Sequence, residues 1–329
     1  MELIRGHYNL RPRHRGCVAT IGNFDGLHLG HQAILARLAD KAREYALPST
    51  VITFEPHPQE YFHPGDRPTR LTSFREKLEV LAGLPIDRVL CLPFNRGLAE
   101  MHAASFIDRV LVGGLGIRYL VVGDDFRFGR QRQGDIAMLR AAGERNGFDV
   151  LAMEALEQEG GRISSTRIRE ALRRGDLPEA AHLLGRPYRL AGPVVSGDRR
   201  GRRLGFPTAN VHLQRRAFAR GAEPHPAPLA GVFAVQVYGI GSDPMPGVAN
   251  IGTRPTVDGT RCVLEVHVFD FEGNLYGRHL QVEFHVRLRE ERRFPDVIAL
   301  ARQIAADAEA ARDWFEGSAP GDAPLPSKR

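Results

Sequence analysis

CVATIGNFDGLHLGH, residues Cys17–His31, is the stretch on which the fold turns. Cys17–Ile21 reads as a short buried strand. From His31 to Tyr45 the side chains of Ile34, Leu38, Ala42 and Tyr45 fall on one side of an amphipathic helix. A strand that passes through a glycine-rich turn into a helix is the opening unit of a parallel sheet. Gly22, Gly26 and Gly30 let backbone approach a ligand closely, and a helix N-terminus offers N–H groups and positive partial charge to a phosphate. His28 and His31 lie three apart at that opening, so both can face one anion. The chain holds no G-x-x-x-x-G-K-[ST], and the stretch is not G-x-G-x-x-G. Two histidines could ligate a metal, but no third ligand stands at a suitable spacing. Without a ligand the same stretch is a glycine-rich turn bearing two surface histidines.

The pattern repeats along the first half. Thr50–Phe54, Arg88–Leu92, Tyr119–Val122 and Val150–Met153 read as further strands. Ser73-Phe74-Arg75-Glu76 is a capping box opening a helix through Leu81; Ser105–Asp108 opens another, and Ile136–Arg145 is a third. This alternation predicts a parallel sheet with helices on both faces. Two more helices follow, about Thr166–Arg174 and one N-capped by Asp176 and ended by Gly185. From Tyr188 to about Leu288 the texture changes to short β-rich runs broken by Gly, Pro, Asn and Asp: Arg189–Val195, Phe233–Tyr238, Val263–Phe269 and Gln281–Val286. That predicts a small antiparallel barrel or sandwich. A long helical pattern at about Asp296–Phe315 closes it. The expected domains are 1–185 and 186–316, with a disordered tail at 317–329 and a long loop at 214–229.

Three other segments of the first half carry candidate chemistry. GRISSTRIR (Gly161–Arg169) puts hydroxyls and arginines at a helix start, a second anion site or simply an N-capped, charged helix. GDDFRFG (Gly123–Gly129) follows the fourth strand, where parallel sheets bind ligands, although its aromatics could equally be core. TFEPHP (Thr53–Pro58) follows the second strand, as a ligand loop or a proline-stiffened turn.

In the β-rich half, Gly197, Gly201 and Gly205 make a flexible strip with arginines between them, leading into Phe206-Pro207-Thr208-Ala209-Asn210. In an extended segment Thr208 and Asn210 point to the same side. Their oxygens can then reach one hard cation such as Mg2+. A basic hairpin loop is the plain alternative. Across Val263–Phe269, Leu264, Val266 and Val268 share one face, and Glu265 and His267 the other. A carboxylate near bound Mg·ATP is a natural base for an alcohol attacking phosphorus.

Composition bounds the rest. The chain has 329 residues, 43% hydrophobic and 26% charged, enough for two compact domains. Its net charge of +6 is carried almost wholly by Arg, with Lys only at Lys41, Lys77 and Lys328. Such charge suits nucleic acid or small anions such as ATP, but no basic block with interleaved aromatics is present. Cys17, Cys91 and Cys262 are too far apart for a disulfide framework or a zinc site, which fits a reducing compartment. No apolar run is long enough for a signal peptide or a membrane span. The expectation is a cytoplasmic protein that handles small molecules, with no nucleic acid, membrane or obligate protein partner.

GNFDGLHLGH, TFEPHP, VVGDDFRFG and GRISSTRIR, in this order and spacing, resemble the nucleotidyltransferase-like module of the prokaryotic bifunctional FAD synthetases. GRRLGFPTAN, GVFAV, GVANIGTRPT, LEVHVFDF, LYG and VEFHVRLREERRF resemble the same family's riboflavin kinase module, so the resemblance runs from about Gly16 to Phe315. It implies a Rossmann-like domain that transfers AMP from ATP to FMN, releasing pyrophosphate. It further implies a small antiparallel β-barrel, closed by a C-terminal helix, that phosphorylates riboflavin with Mg·ATP. ATP is then the co-substrate, and riboflavin, FMN and FAD are substrates and products. By this resemblance His28 and His31 stabilise the α-phosphate. Gly22, Asn23, Asp25 and Gly30 help position ATP, and Arg162, Ser164, Ser165, Thr166 and Arg169 hold its β- and γ-phosphates. Pro58, Asp125, Phe126 and Phe128 border the flavin or ATP pockets. In the second module Thr208 and Asn210 bind Mg2+, and Gly197, Gly201 and Gly205 belong to a flap over ATP. Glu265 deprotonates the ribityl 5′-hydroxyl, and Asn250 and Arg289 lie near the nucleotide and flavin. The 214–229 loop is longer than the family leads one to expect. FMN's phosphate is already an anion, so AMP transfer needs alignment and charge neutralisation rather than a base. Three other readings stay open: an enzyme with one degenerate module, a basic nucleic-acid-binding protein, and a flavin sensor.

Overall fold

Every second residue of β2 (Cys17–Ile21) faces the opposite side of its sheet, and both sides are buried. The computed structural model describes residues 1–63, 68–197, 205–213, 227–256 and 259–317. The 318–329 tail, most of the 214–229 loop and Gly201 of the expected flap lie outside them. The chain packs as two compact units, Met1–Pro68 with Lys77–Ile163 and Thr69–Glu76 with Ser164–Arg329. The sequence predicts a boundary at 185/186, whereas packing assigns Ser164 onward to the β-rich half.

In chain order the first 163 residues hold β1 (Glu2–Arg5), β2, α1 (Leu29–Tyr45), β3 (Ser49–Glu55), α2 (Pro58–Phe62) and α3 (Phe74–Ala82). Then come β4 (Arg88–Pro93), α4 (Arg96–Ala99), α5 (Ala103–Phe106, continuing as a π-helix over Ile107–Leu115) and β5 (Ile117–Gly123). Last are α6 (Ile136–Asn146), β6 (Asp149–Met153) and a ribbon of β7 (Glu157–Gln158) with β8 (Gly161–Arg162). Strands β1 to β6 form one parallel sheet in the order β1-β4-β3-β2-β5-β6. Val18, Val51, Val89 and Val121 pack against Leu35 and Leu38 of α1 and Leu81 of α3 on one face. Ala19, Ile52, Leu90 and Leu120, their chain neighbours, pack against Leu111 and Leu115 of the π-helix and Leu139 of α6 on the other. A parallel sheet covered on both faces is what the strand–helix alternation predicts. The edge strand β1 was not foreseen, since its four residues mix apolar and charged side chains. The expected capping box is present: Ser73 N–H donates to Glu76 Oε2 at 2.6 Å, and Glu76 N–H to Ser73 Oγ at 3.2 Å.

The second unit carries α7 (Ser165–Arg174), α8 (Leu177–Leu184), β9 (Tyr188–Val195), β10 (Ala209–Val211), β11 (Gly231–Tyr238), β12 (Met245–Thr256), β13 (Gly259–Val268), β14 (His279–Arg289) and α9 (Val297–Gly317). Its six strands close into an antiparallel barrel, β10-β13-β12-β11-β14-β9. Inward residues fill it, among them Tyr188, Leu190, Phe233, Val235, Ile251, Leu264, Val266 and Phe284, none more than 2% exposed. On the outer surface Val232, Ala234 and Val248 are covered by Ala308 and Ala311 of α9. β10 is three residues long and β12 contains Pro246, Gly247, Gly252 and Pro255, so neither announces itself as a strand. Cys17 and Cys91 are buried free thiols, and burial pushes both up to about 11.

Leu38 is fully buried, whereas Leu156 is 42% exposed. Leu38→Ala is expected to lower the unfolding free energy of the first unit by about 2–5 kcal/mol, and Leu156→Ala by less than about 0.5 kcal/mol. Urea unfolding followed by circular dichroism measures both, and coincident curves would contradict the packing described.

Candidate functional site

Residues 22–28 join β2 to α1 through a tightly coiled turn. Phe24 and Leu27 take left-handed φ values of 50° and 49°. That conformation costs an L-residue energy. Burial of both side chains beneath α1, at 1% and 0% exposure, offsets it. Between them Gly26 has φ 82°, which glycine adopts readily. The coil turns Asp25 inward, 4% exposed. It also brings the Asn23 carbonyl to Lys77 Nζ, which donates to it at 2.6 Å.

α1 starts at Leu29, two residues before the predicted start, and His28 is its N-cap. His28 Nδ1 accepts from the His31 backbone N–H at 3.3 Å, so the proton of neutral His28 sits on Nε2. The two imidazoles stack, with centroids 3.6 Å apart and planes at 18°. Phe24 packs edge-on against His31 at 5.2 Å. Burial, and then the positive surroundings of His28, Lys77 and Arg162, hold His31 well below the ordinary histidine range. Its buried Nδ1 makes no hydrogen bond. A side chain at Gly30 would press on the His28 ring at 3.3 Å. An anion arriving here meets the N–H groups of a helix start, a polarised imidazole pair, and the charges of Lys77 and Arg162.

Arg162 of β8 also pairs with Asp125, from the loop after β5, at 2.8 Å. Both side chains are about half exposed, so the pair contributes little stability and can yield to a competing anion. The structure thus brings the GNFDGLHLGH turn, the GDDFRFG loop and Arg162 together in the first unit. Phe126 and Phe128 stack at 5.6 Å and 13°. Phe128, 8% exposed, belongs to the core and backs the half-buried Phe126. Pro58 opens α2, which His57 caps. Beside it lies an aromatic group that the sequence did not reveal: Tyr61, Phe62 and Phe94 meet edge-to-face at 5.4–5.5 Å, with Phe54 behind Phe94. Phe62 is 54% exposed. Lys77 was missed as well; its only signal was its rarity. In the second unit Ser164 caps α7, its Oγ accepting from Arg167 N–H at 3.3 Å. Ser165 and Thr166 form the first turn of α7, and Arg169 Nε donates to the Thr69 carbonyl at 2.5 Å.

On the barrel, register builds the second site. Asn210 of β10 pairs with Glu265 of β13, and Glu265 with Asn250 of β12. Directly paired residues point the same way, with Cβ atoms about 4.5–5.5 Å apart. An amide, a carboxylate and an amide therefore line up across three strands on the outer surface. Their inward neighbours Ala209, Leu264 and Val266 are buried. Thr208 lies two residues before Asn210. Gly197 lies against Asn210, and a Cβ there would come within 2.7 Å of the amide Oδ1, so any side chain would push the amide away. The row continues through Val232 to Arg289. Arg289 is gripped by Asp307 of α9: Nε donates to Oδ1 at 2.9 Å and Nη2 to Oδ2 at 2.7 Å. Gln303 Nε2 also donates to Asp307 Oδ1 at 2.6 Å. In this arrangement Arg289 latches α9 onto the barrel. Among the described residues no cluster of three His, Cys, Asp or Glu could hold a metal. The hydroxyl and amide oxygens of Thr208 and Asn210, beside a carboxylate, are instead hard donors. They fit Mg2+, which takes most of its ligands from water and phosphate.

Residues 10–167 match the FAD synthetase family model, and residues 184–315 the riboflavin kinase model. The bifunctional riboflavin kinase/FMN adenylyltransferase of Pseudomonas fluorescens is 52% identical, over 95% of this chain and 97% of its own. That of Escherichia coli K12 is 48% identical, over 96% and 98%. A crystal structure described as a macrolide-efflux protein from Streptococcus pneumoniae aligns with TM-score 0.80 at 30% identity, over 95% of this chain and 100% of that one. No helix among the described residues is long and apolar enough to cross a membrane. With both family models matched in order and near-full-length relatives at about half identity, this chain belongs to the family of bifunctional riboflavin kinase/FMN adenylyltransferases.

Proposed function

We infer that the chain makes FAD in two steps, each drawing on ATP. In the first, the 5′-hydroxyl of riboflavin attacks the γ-phosphorus of ATP, giving FMN and ADP. In the second, a phosphate oxygen of FMN attacks the α-phosphorus of a second ATP, giving FAD and pyrophosphate. Residues 186–316 serve the first step and residues 1–185 the second. The protein works in the reducing cytoplasm on small molecules.

The cross-strand row of Asn210, Glu265 and Asn250 is the observation that carries the kinase assignment. Thr208 and Asn210 would hold Mg2+, which supplies charge neutralisation for the transferred phosphoryl group. Glu265, beside them on the same face, takes the hydroxyl proton as the new O–P bond forms. Gly197 leaves the Asn210 amide room to stay there. Asn250 completes the polar row, and Arg289 supports it by keeping α9 in place.

For AMP transfer, the attacking FMN phosphate needs no base, so the site needs oriented positive charge. His28 Nε2–H and His31 face the α-phosphate, with Arg162 beside them. In the second unit the N–H groups of the first turn of α7, with Ser164, Ser165, Thr166 and Arg169, make a phosphate-binding helix start of their own. The exposed rings of Tyr61 and Phe62 beside Pro58 offer the flat apolar surface that an isoalloxazine requires.

Glu265→Gln is expected to cut riboflavin phosphorylation by about 10²–10⁴-fold and leave adenylylation of added FMN within about twofold. His31→Ala should do the reverse, with a loss of about 10²–10³-fold in FAD formation. FMN and FAD are followed separately by chromatography; if either folded variant loses both activities equally, the two-site assignment fails.

A depressed His31 pKa also makes a stability prediction. The unfolded imidazole protonates below about pH 6.5, while the folded one stays neutral. The contribution is therefore complete above pH 6.5 and is lost as pH falls towards the folded value. The melting temperature should drop between pH 7.5 and 5.5. His31→Phe should flatten the accompanying fall in unfolding free energy by up to about 1.4 kcal/mol per pH unit, and identical pH slopes for the two proteins would count against a buried neutral His31.

A further inference from the structure

We propose that His267 is a positioning residue of the kinase site: its imidazole anchors the Pro207 carbonyl and so fixes the Thr208–Asn210 segment that faces Mg·ATP. The proposal rests on the reading of that site given above. The β10–β13 ladder begins at Ala209 opposite Val266, one residue short of Thr208. Pro207, just before Thr208, has no N–H to offer a neighbouring strand. Its carbonyl is the one main-chain group left to hold it, and His267 Nδ1 lies 2.9 Å from that oxygen. A histidine side chain thus extends the pairing where the main-chain ladder has stopped.

The geometry fixes the imidazole's protonation. A carbonyl oxygen only accepts, so Nδ1 must carry the proton. Neutral His267 is then the Nδ1–H tautomer, with an acceptor at Nε2. The ring itself is held from two sides, by Phe206 at 5.5 Å and Phe269 at 5.8 Å, both edge-to-face. Phe269 is 1% exposed, and the Arg312 guanidinium of α9 lies over it at 4.3 Å. Asp270 grips that guanidinium through two bonds of 2.9 Å. A continuous set of contacts runs from α9 through Phe269 and His267 to Pro207. His267 is also the next outward residue after Glu265 on β13, so one strand sets the spacing between the base and the segment bearing Thr208 and Asn210. His267 is therefore assigned to binding geometry, and proton transfer stays with Glu265.

The test uses the full-length enzyme and the variants His267→Phe, His267→Gln and Thr208→Ala. His267→Phe should raise KM for Mg·ATP in riboflavin phosphorylation by about tenfold, the scale of one lost hydrogen bond, with kcat within about threefold. His267→Gln, which can still donate an N–H, should recover most of that loss. Circular dichroism and the melting curve of the barrel serve as the control for folding, and adenylylation of added FMN should not change. Independently of activity, 15N spectra of the wild-type histidines should place the His267 proton on Nδ1. An Nε2–H tautomer, or an unchanged KM in a folded His267→Phe variant, overturns the proposal, as does a fall in kcat with KM untouched. If His267→Phe fails to fold, the wild-type tautomer still decides. Should Thr208→Ala leave the Mg·ATP dependence of phosphorylation intact, the reading of the kinase site fails, independently of the tautomer result for His267.

Discussion

The pairing register of β10, β13 and β12 is the constraint that gives the barrel its chemistry. Side chains on a strand alternate between two sides, so a slip of one residue would send Asn210 into the apolar interior and bring Ala209 out. The slip is opposed by the burial of Ala209, Leu264 and Val266. The force that keeps the polar row outside is therefore the hydrophobic packing of its immediate neighbours. Gly197 adds a steric condition, because the Asn210 amide keeps its place only while that residue lacks a side chain.

The first unit builds its candidate anion site by a different route. There the candidate groups sit at the end of a central parallel strand, where a helix dipole and helix N–H groups already favour an anion. The packing that holds the left-handed Phe24 and Leu27 also holds the coil between strand and helix. His31 is kept neutral by that burial and by neighbouring cations. A neutral imidazole among fixed positive charges can donate a hydrogen bond without giving up its own proton, which suits a step whose nucleophile is already ionised.

Much of this was legible in one sequence, and the gaps have physical reasons. The sheet strands stand out as short continuous apolar runs because both faces are covered, and α1 and α6 carry an apolar stripe. Glu265 could be singled out because Leu264, Val266 and Val268 mark the buried face of its strand. Its closeness to Asn210 could not be read directly, since antiparallel pairing joins distant segments and β10 is too short to signal itself. β12 was hidden by its prolines and glycines. Lys77 and the aromatic group around Phe94 escaped for the same reason, because what makes them relevant is a neighbour far away along the chain. Arg289 was visible as a cation, but its carboxylate partner on α9 was not. The start of α1 moved by two residues because a histidine side chain supplied the cap usually given by Ser, Thr, Asp or Asn.

A ring of strands whose lumen is packed solid leaves no room for a guest, so recognition by this barrel is confined to its skin. Odd and even positions along each strand then answer to separate demands, the inner half to volume and the outer half to chemistry or to the cover of α9. Substitutions among aliphatic residues on the inner half can accumulate while the polar row stays as it is, and the outer positions that α9 does not cover can be retuned towards another nucleotide or flavin without unsettling the scaffold. Closure adds one more benefit: with every strand paired on both sides, the barrel offers no open rim onto which another chain could add a strand.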